Sequence, residues 1–378
     1  MKKTATKLIS LLLALLLISG ASLCGFAQEK TSFDPEAYAT VVTASDFQQW
    51  GTDAFDRFGN ILTLAEKDGL DTPGSVLIGG DYSMVLFDNA VPGIGRIRNK
   101  VLSLYPEAVP ESIVCIQGNH DNPKKEFAET GFYDMGAFCL YVINEDDFPW
   151  KQSTRSDETV KALAADIESK LDNMITGGDF RPVIVITHVP LHHTNRNSYG
   201  DNMYSSYIFN VLNEKAGKLD IIFVYGHNHS GKYDDYIGGS VNFLKAGDTI
   251  RIPLADKAGE DCYTEETLNF TYTNCGYVGN SSNTDSATST SALTVDFIQF
   301  TQDKIKFVRY SEDGLFTSNE VSKLNPGSEV KEPSYPALDD NCMCHSENPL
   351  VKLFCNIFSF FCKLFGITSY CVCGKSHF

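Results

Sequence analysis

Two histidines, His227 and His229, stand two positions apart behind Gly226 and a continuous apolar run at residues 221–225. A strand that is buried on both faces has such a continuous run instead of alternating polar and apolar residues. A turn after this strand could aim both imidazoles into one pocket, and imidazole is the commonest side-chain metal ligand in proteins. The alternative for either histidine alone is an ordinary loop residue.

Four further apolar runs end in residues that can bind a metal ion. Residues 41–45 lead into Asp46, residues 76–78 into Asp81, residues 113–117 into Asn119, His120 and Asp121, and residues 183–187 into His188. In open α/β sheets, functional side chains collect at the carboxyl ends of the strands. Five such endings in one chain therefore favour a shared site over five unrelated loops.

This order of motifs resembles the calcineurin-like metallophosphoesterases, over roughly residues 41–310. The resemblance implies an α/β fold, a four-layer α-β-β-α sandwich with two facing mixed sheets. It also implies two divalent metal ions. By the same resemblance Asp46 and His229 hold the first ion, and Asn119, His188 and His227 hold the second.

Two more residues receive roles from the resemblance. Asp81 would bridge the two ions, and His120 would serve the leaving group without binding metal. The chemistry fits these residue types, because mixed carboxylate, amide and imidazole ligands suit Mn, Fe or Zn. Two ions can clamp the attacking and leaving oxygens of an in-line displacement, and a bridging hydroxide can attack at ordinary pH. We therefore expect hydrolysis of a phosphate mono- or diester.

Two departures from the family pattern leave an alternative open. Gln48 stands where the family usually has a metal-binding histidine, and its amide oxygen is a poorer ligand than imidazole. Met84 and Val85 stand where many members carry an aspartate and an arginine. Asp121 could orient His120 in place of the missing aspartate. The alternative functions are a catalytically silent binding protein that keeps the fold, or a surface-anchored interaction protein.

The overall charge restricts the partners. The chain has 378 residues and a formal net charge of −17. Nucleic-acid binding needs a basic footprint, so no nucleic-acid partner is expected. A small phosphorylated substrate is compatible with this charge, because bound metal ions invert the local sign.

The first 27 residues have the features of a secretory signal peptide. Lys2, Lys3 and Lys7 precede an apolar core at residues 8–18, and small residues at 25 and 27 fit a cleavage site. The core is too short for a membrane-spanning helix. A lipid anchor at Cys24 is the weaker alternative, because Leu23 is bulky. We predict an exported protein, extracellular or associated with the cell surface.

Residues 28–318 are predicted to form the metallophosphoesterase domain. Apolar residues recur at helical spacing in residues 53–67 and 157–175, the latter with Ser156 as N-cap. After His229, residues 241–244, 268–273, 294–300 and 304–310 alternate like half-buried strands. The loop at residues 191–207 contains His192 and Arg196 and could form a wall for substrate; an ordinary solvated loop is the alternative.

The last 60 residues change in character. Prolines and scattered charges predict a linker at residues 319–341, followed by a small Cys-rich helical module at residues 342–378. Cys342, Cys344, Cys371 and Cys373 could hold a structural Zn, form disulfides or remain thiols.

Between these cysteines, residues 349–366 predict a helix with a narrow polar stripe. Such a helix could lie on a membrane surface or against a protein partner. The alternative is a helix that packs on the catalytic domain.

Overall fold

The structure is a computed structural model. It describes residues 33–48, 53–82, 91–121, 127–149, 155–192, 204–254, 263–279, 293–327, 330–337, 349–350 and 357. The predicted signal peptide, Arg196, Met84, Val85 and the four cysteines of the C-terminal module lie outside these residues. The cysteines that are described, Cys115, Cys139 and Cys275, are buried free thiols.

The helices within the described ranges are α1 Asp53–Lys67, α2 Val91–Leu104, α3 Asp157–Gly177 and α4 Ser205–Lys215, with a short 3-10 helix at Pro110–Ser112. The first and third were predicted from their spacing. The Ser156 side chain accepts a hydrogen bond from the Thr159 amide at 3.4 Å, which confirms its role as the N-cap of α3.

The strands of the described chain, numbered in chain order, form two large sheets and two small hairpins. The first sheet contains β1 Ala39–Ala44, β2 Ser75–Ile78, β3 Ile113–Cys115, β14 Gly276–Tyr277, β15 Thr294–Phe300, β16 Lys304–Ser311 and β17 Gly314–Ser322. The second sheet contains β4 Gly131–Asp134, β5 Cys139–Ile143, β6 Val183–Thr187, β7 Ile221–Tyr225, β10 Phe243–Leu244 and β13 Thr271–Asn274. The hairpins pair β8 Tyr236–Ile237 with β9 Ser240–Val241, and β11 Thr249–Pro253 with β12 Tyr263–Thr267.

Both large sheets are mixed. In the first, with order β17-β16-β15-β1-β2-β3, strands β1, β2 and β3 run parallel and the others pair antiparallel, with β14 added beside β15. In the second, with order β10-β13-β7-β6-β5-β4, strands β13, β7, β6 and β5 run parallel, while both edge pairs are antiparallel. The resulting α/β fold with mixed sheets agrees with the prediction.

Three clusters of buried side chains hold the two large sheets and the helices together. One contains side chains of both sheets, such as Val41, Leu77, Ile186 and Val224. A second joins α1 and α2 to the first sheet, and the third joins α3 and α4 to the second sheet. Neighbouring residues of one strand enter different clusters, as Val41 and the helix-facing Val42 do, because side chains alternate between the faces of a sheet. This is why strands β1, β2, β6 and β7 read as continuous apolar runs.

Strand β15 differs from its prediction. Every residue of Thr294–Phe300 is buried, although the sequence alternates like a half-buried strand. The strand lies between β1 and β16, and its polar side chains are covered. Asp296, for example, accepts a hydrogen bond from the Tyr233 hydroxyl at 2.7 Å. Buried polar partners, which sequence spacing does not reveal, thus replace solvent on that face.

The predicted linker boundary at residue 319 is wrong, because β17 continues to Ser322 and pairs with β16 along its length. The described residues that follow, 323–327 and 330–335, cross the ends of both sheets, and we call them the strap. Its backbone N–H groups at Leu324 and Ser334 donate to Asp220 Oδ1 at 2.6 Å and to the Asp134 carbonyl at 2.6 Å. The prolines of this segment therefore belong to an ordered crossing instead of a free spacer.

Ion pairs hold the second half of the strap. Lys331 Nζ lies 2.7 Å from Asp179 Oδ2, and the buried Arg181 joins Asp179 at 2.7 Å and Asp134 at 2.6 Å. These neighbours lower the pKa of both carboxyl groups against the opposing effect of burial. The strap is thus tied to the second sheet through charged as well as backbone groups.

Among the described residues, no helix combines the length and the apolar composition that crossing a bilayer requires.

Candidate metal centre

The two sheets bring the predicted ligands to one end of the fold. Asp46, Asp81 and Asn119 follow the parallel strands β1, β2 and β3 of the first sheet, while His188 and His227 follow β6 and β7 of the second. Parallel strands end at the same edge of a sheet. Since residues of both sheets share one buried cluster, the two edges lie face to face.

The backbone at this edge is strained at several of the predicted metal ligands. Among the described residues other than glycine, five have positive φ, and four of them are Asp46 (57°), Asp81 (61°), His227 (69°) and His229 (48°). Residues with a side chain rarely occupy this left-handed region, at a cost of roughly 1–3 kcal/mol each. Such strain persists where the surrounding structure imposes it, and it commonly marks functional sites.

One group of donor atoms is formed by Asp46, Asp81 and His229, all of them buried, with atoms within 4.8 Å of one another. His229 Nε2 lies 3.2 Å from Asp46 Oδ1. The ring of Tyr277 stacks on the imidazole of His229, with 4.9 Å between centroids and 8° between planes. The first group is therefore positioned by aromatic packing as well as by its strand ends.

A second group shares Asp81 with the first. Asn119 Oδ1 lies 2.8 Å from His188 Nε2 and 2.9 Å from His227 Nδ1. His188 Nε2 lies 3.3 Å from Asp81 Oδ2, and its Nδ1 lies 2.7 Å from the Gly79 carbonyl. The carboxylate of Asp81 thus touches donor atoms on both sides, as a bridging ligand would.

The donor atoms fit divalent cations in spacing and in charge. Ligand atoms at about 2.1 Å from one ion are about 3.0–3.4 Å apart in octahedral or tetrahedral sites. The 3.2 Å between His229 Nε2 and Asp46 Oδ1 and the 3.3 Å between His188 Nε2 and Asp81 Oδ2 lie in this range. Burial alone would lower the pKa of His188, but the carboxylates of Asp81 and Asp46 outweigh it and raise this pKa to about 10. Burial alone would raise the pKa of Asp46 and of Asp81, but the nearby histidines outweigh it and lower both pKa values. The site therefore favours positive charge, which bound divalent cations would supply.

Gln48 lies inside the site, where its side chain contacts Asp81, one of the predicted metal ligands. It is 3% exposed, and its amide nitrogen donates a hydrogen bond to Asp81 Oδ2. This contact orients the shared carboxylate. Metal binding by the amide oxygen of Gln48 stays a prediction.

The two residues predicted to be catalytic occupy different environments. The side chain of His120 is exposed, while its backbone N–H donates to Asp81 Oδ1 at 2.9 Å. Asp121 is buried and accepts hydrogen bonds from the N–H groups of Asp81, Tyr82 and Gly118 at 2.7, 2.9 and 2.8 Å. Burial, together with the Asp81 charge, raises the pKa of Asp121 well above its usual range. Asp121 thus joins the loops after β2 and β3 through the backbone, and this does not support its predicted orientation of His120.

Glycines allow these loops to approach each other. A Cβ atom on Gly118 would lie 2.2 Å from Asp81 Oδ1, and one on Gly226 would lie 2.8 Å from Ser45 Oγ. Both distances are well below van der Waals contact. The glycines that directly precede Asn119 and His227 are therefore needed for close packing between strand ends.

The predicted substrate wall is not supported at His192. Its side chain has no exposed surface, and its Nδ1 lies 2.7 Å from the Tyr272 hydroxyl. The ring also packs edge-on against Tyr225. A side chain enclosed in this way cannot contact substrate, so His192 belongs to the packing behind β7. The other wall residue, Arg196, lies outside the described part of the chain.

Sequence reasoning missed two residues that support the histidines. Tyr277 and Asn242 both come from the chain after residue 231, where no motif points to the site. Asn242 is fully buried between β9 and β10. Its position three residues after the glycine pair of a short hairpin was the only available signal, and such a pair ordinarily indicates a turn.

Comparison with known proteins gives the following matches. A model of the calcineurin-like phosphoesterase family matches residues 39–231, just over half of the chain. A search of curated protein sequences found no relative.

Solved structures give more distant matches. GAP50, the anchor in the inner membrane complex of Plasmodium, is 12% identical, with a TM-score of 0.43 over 78% of this chain and 89% of that chain. A dimetal phosphatase from Danio rerio is 10% identical, with a TM-score of 0.43 over 76% of this chain and 99% of that chain. A predicted phosphoesterase from Streptococcus pneumoniae is 12% identical, with a TM-score of 0.33 over 75% of this chain and 98% of that chain. At these scores the likeness carries no conclusion about activity.

Proposed function

The chain belongs to the calcineurin-like phosphoesterase family, and we propose that it is a dinuclear-metal-dependent enzyme that hydrolyses a phosphate mono- or diester. One observation carries this proposal. The buried Asp81 carboxylate lies between two groups of donor atoms, one with Asp46 and His229 and one with Asn119 and His188. Two ions sharing one carboxylate would have the close spacing that in-line phosphoryl displacement uses.

The side chains of the site would divide the chemistry between them. Divalent ions, when bound, supply Lewis acidity and lower the pKa of a coordinated water. Gln48 keeps Asp81 oriented through its hydrogen bond, and Asp121 keeps the loops of Asp81 and Asn119 together. The exposed imidazole of His120 is free to meet a leaving group at the mouth of the site, where it could donate a proton.

The proposal also includes the layer arrangement, the export, the surface contact and the substrate class that the sequence predicts. The buried cluster between the sheets and the two clusters under the helices support a four-layer α-β-β-α arrangement. The composition of residues 1–27 supports export, and the aromatic helix predicted at residues 349–366 supports contact with a membrane surface or protein partner. Small phosphorylated molecules are the proposed substrates.

The proposal is tested by removing the shared carboxylate. We expect Asp81→Asn to abolish hydrolysis of p-nitrophenyl phosphate and of its diester in Mn²⁺, and to lower the bound metal below two equivalents. The control is Asp56→Asn, which removes one negative charge from an exposed ion pair with Lys100. Two bound metals and a near-normal rate in Asp81→Asn, with the control unchanged, would refute the two-metal function.

Gln48 motivates a second candidate, a metal-binding protein without turnover. By the resemblance described above, family members usually have a metal-binding histidine at position 48. Here the side-chain amide nitrogen of Gln48 donates a hydrogen bond to Asp81 instead. This candidate predicts that the wild-type chain binds divalent metal and hydrolyses none of the mono- or diesters at any metal concentration. Turnover that needs Asp81 excludes it.

A further inference from the structure

The loop that carries His227 and His229 is held by a cluster of buried polar side chains that come from later in the sequence. This cluster consists of Asn242, Asn274, Asp296 and Arg309, all buried. Each of these residues lies after residue 231, beyond the part of the chain that matches the family. The support for the histidines thus comes from a region that the family motifs do not cover.

Asn242 contacts the end of β7 and the loop that follows it at four places. Its Oδ1 accepts hydrogen bonds from the Tyr225 hydroxyl at 3.2 Å and from Asn228 Nδ2 at 3.1 Å. Its Nδ2 donates to Ser230 Oγ at 2.7 Å and to the Lys232 carbonyl at 2.7 Å. A carboxamide has two donors and two acceptor positions, so all of its hydrogen-bonding capacity serves the end of β7 and this loop.

Asn242 itself is fixed to the sheet. Its backbone N–H donates to the Tyr233 carbonyl at 2.9 Å, and its carbonyl accepts from the Asn274 N–H at 3.2 Å. Asn274 Nδ2 in turn donates to the Ser230 carbonyl at 2.7 Å. The loop is therefore gripped from two neighbouring positions on the second sheet.

Arg309 supports the second grip. Its guanidinium donates to Asn274 Oδ1 at 2.7 Å and pairs with Asp296 Oδ2 at 3.2 Å. It also donates to the Gly231 carbonyl at 3.3 Å and stacks over the Tyr233 ring at 3.9 Å. A buried network of this kind is costly when partly satisfied and rigid when complete.

The conformation of the loop explains why it needs such support. His227 and His229 both have left-handed φ angles, and Asn228 between them is bonded to Asn242. Strained backbone of this kind relaxes unless its surroundings determine it. The two histidines belong to different donor groups, one on each side of Asp81. A single clamp on Asn228 would therefore position one ligand of each group.

We infer that Asn242 is a positioning residue for the metal centre, which sets the placement of His227 and His229 and with it the affinity of both metal sites. The inference rests on the proposed function, in that it takes the two groups to bind divalent ions. Residues that orient metal ligands typically affect metal affinity by about 10–100-fold. Because the clamp acts between the histidines, both binding steps should weaken together.

The test compares Asn242→Ala with Gln299→Ala by calorimetric Mn²⁺ titration of the folded full chain. Gln299 is a matched control, because it is also a buried carboxamide, and its side-chain oxygen accepts a hydrogen bond from the Asp34 N–H at 2.8 Å. It lies in β15 opposite Thr40, near the start of β1. We expect Asn242→Ala to lower both Mn²⁺ affinities by about 10–100-fold. Gln299→Ala should lower the melting temperature but leave Mn²⁺ affinity within about twofold. Equal losses in the two variants, or none in Asn242→Ala, would overturn the inference.

A measurement that needs no metal keeps the test decisive. Hydrogen exchange of residues 226–231 needs no metal, and we expect it to accelerate in Asn242→Ala alone. A wild-type chain that binds no Mn²⁺ would refute the proposed function. Unchanged exchange in Asn242→Ala would refute the placement role independently.

Discussion

Replacement of Gly118 by alanine should disable the site through a collision with Asp81. An added Cβ atom would lie 2.2 Å from Asp81 Oδ1 and 2.5 Å from its backbone nitrogen. Comfortable contacts of carbon need about 3.5 Å, so the two loops must separate by roughly 1 Å. A misplacement of about 1 Å can reduce the rate about 10²-fold, or about 2.7 kcal/mol of transition-state stabilisation.

The collision should also cost stability. Overpacking at a tightly filled position typically costs about 1–3 kcal/mol, which leaves a domain of this size folded. The separation would further lengthen the hydrogen bond from the His120 N–H to Asp81 Oδ1, now 2.9 Å. We therefore expect a lower melting temperature, an intact cooperative transition and weaker metal binding.

The assay is steady-state hydrolysis of a chromogenic diester in saturating Mn²⁺, with metal content measured on the same sample. Gly177→Ala is the control, because an added Cβ there meets nothing within 4 Å at the end of α3. We expect the control to match the wild-type rate. If folded Gly118→Ala works within about threefold of wild type and keeps two metals, the close approach of the two loops does not position Asp81, and this reasoning fails.

Three further predictions follow from the same structure. His120→Ala should reduce the rate by about 10²–10⁴-fold without changing metal content, and loss of a metal equivalent on elemental analysis would contradict its assignment to the leaving group. Gln48→His should tighten metal binding and shift preference towards zinc or iron, because imidazole would replace an amide; unchanged titrations would restrict Gln48 to orienting Asp81. A chain that stops after residue 318 should lose its cooperative melt because part of β17 and the whole strap are missing, whereas a chain that stops after residue 337 should melt like the full chain; equal melts would show that the strap adds no stability.

Much of the site could be predicted because its residues follow buried strands. A continuous apolar run that ends in a residue able to bind a metal ion predicts both the strand and the position of the side chain, as at Asp81 and His188. The convergence of two such sets follows from the parallel order of β1–β3 and of β6–β7. The resemblance to the family supplied the order of the ligands, and the family match over residues 39–231 confirms it as a relationship.

The supporting residues could not be predicted because their contacts are distant in sequence. Asn242 and Arg309 reach the loop across the second sheet and from β16, and nothing in their local sequence distinguishes them from ordinary turn or strand residues. The same reason applies to the strap. Its prolines and charges resemble those of a mobile linker, and only the partners Asp134, Asp179 and Asp220 show it to be ordered.

The strap also determines on which side of the domain its last described residues lie. Its partner Asp220 directly precedes β7, and its partner Asp134 ends β4 opposite Cys139, the first residue of β5. His188 and His227 instead follow the far ends of β6 and β7. Five-residue strands separate these two sides by about 17 Å. A bilayer held close to residue 337 would therefore face the wrong side of the molecule for its own headgroups to enter the metal centre. With the proposed membrane contact, the domain would therefore take its phosphate esters from the surrounding fluid.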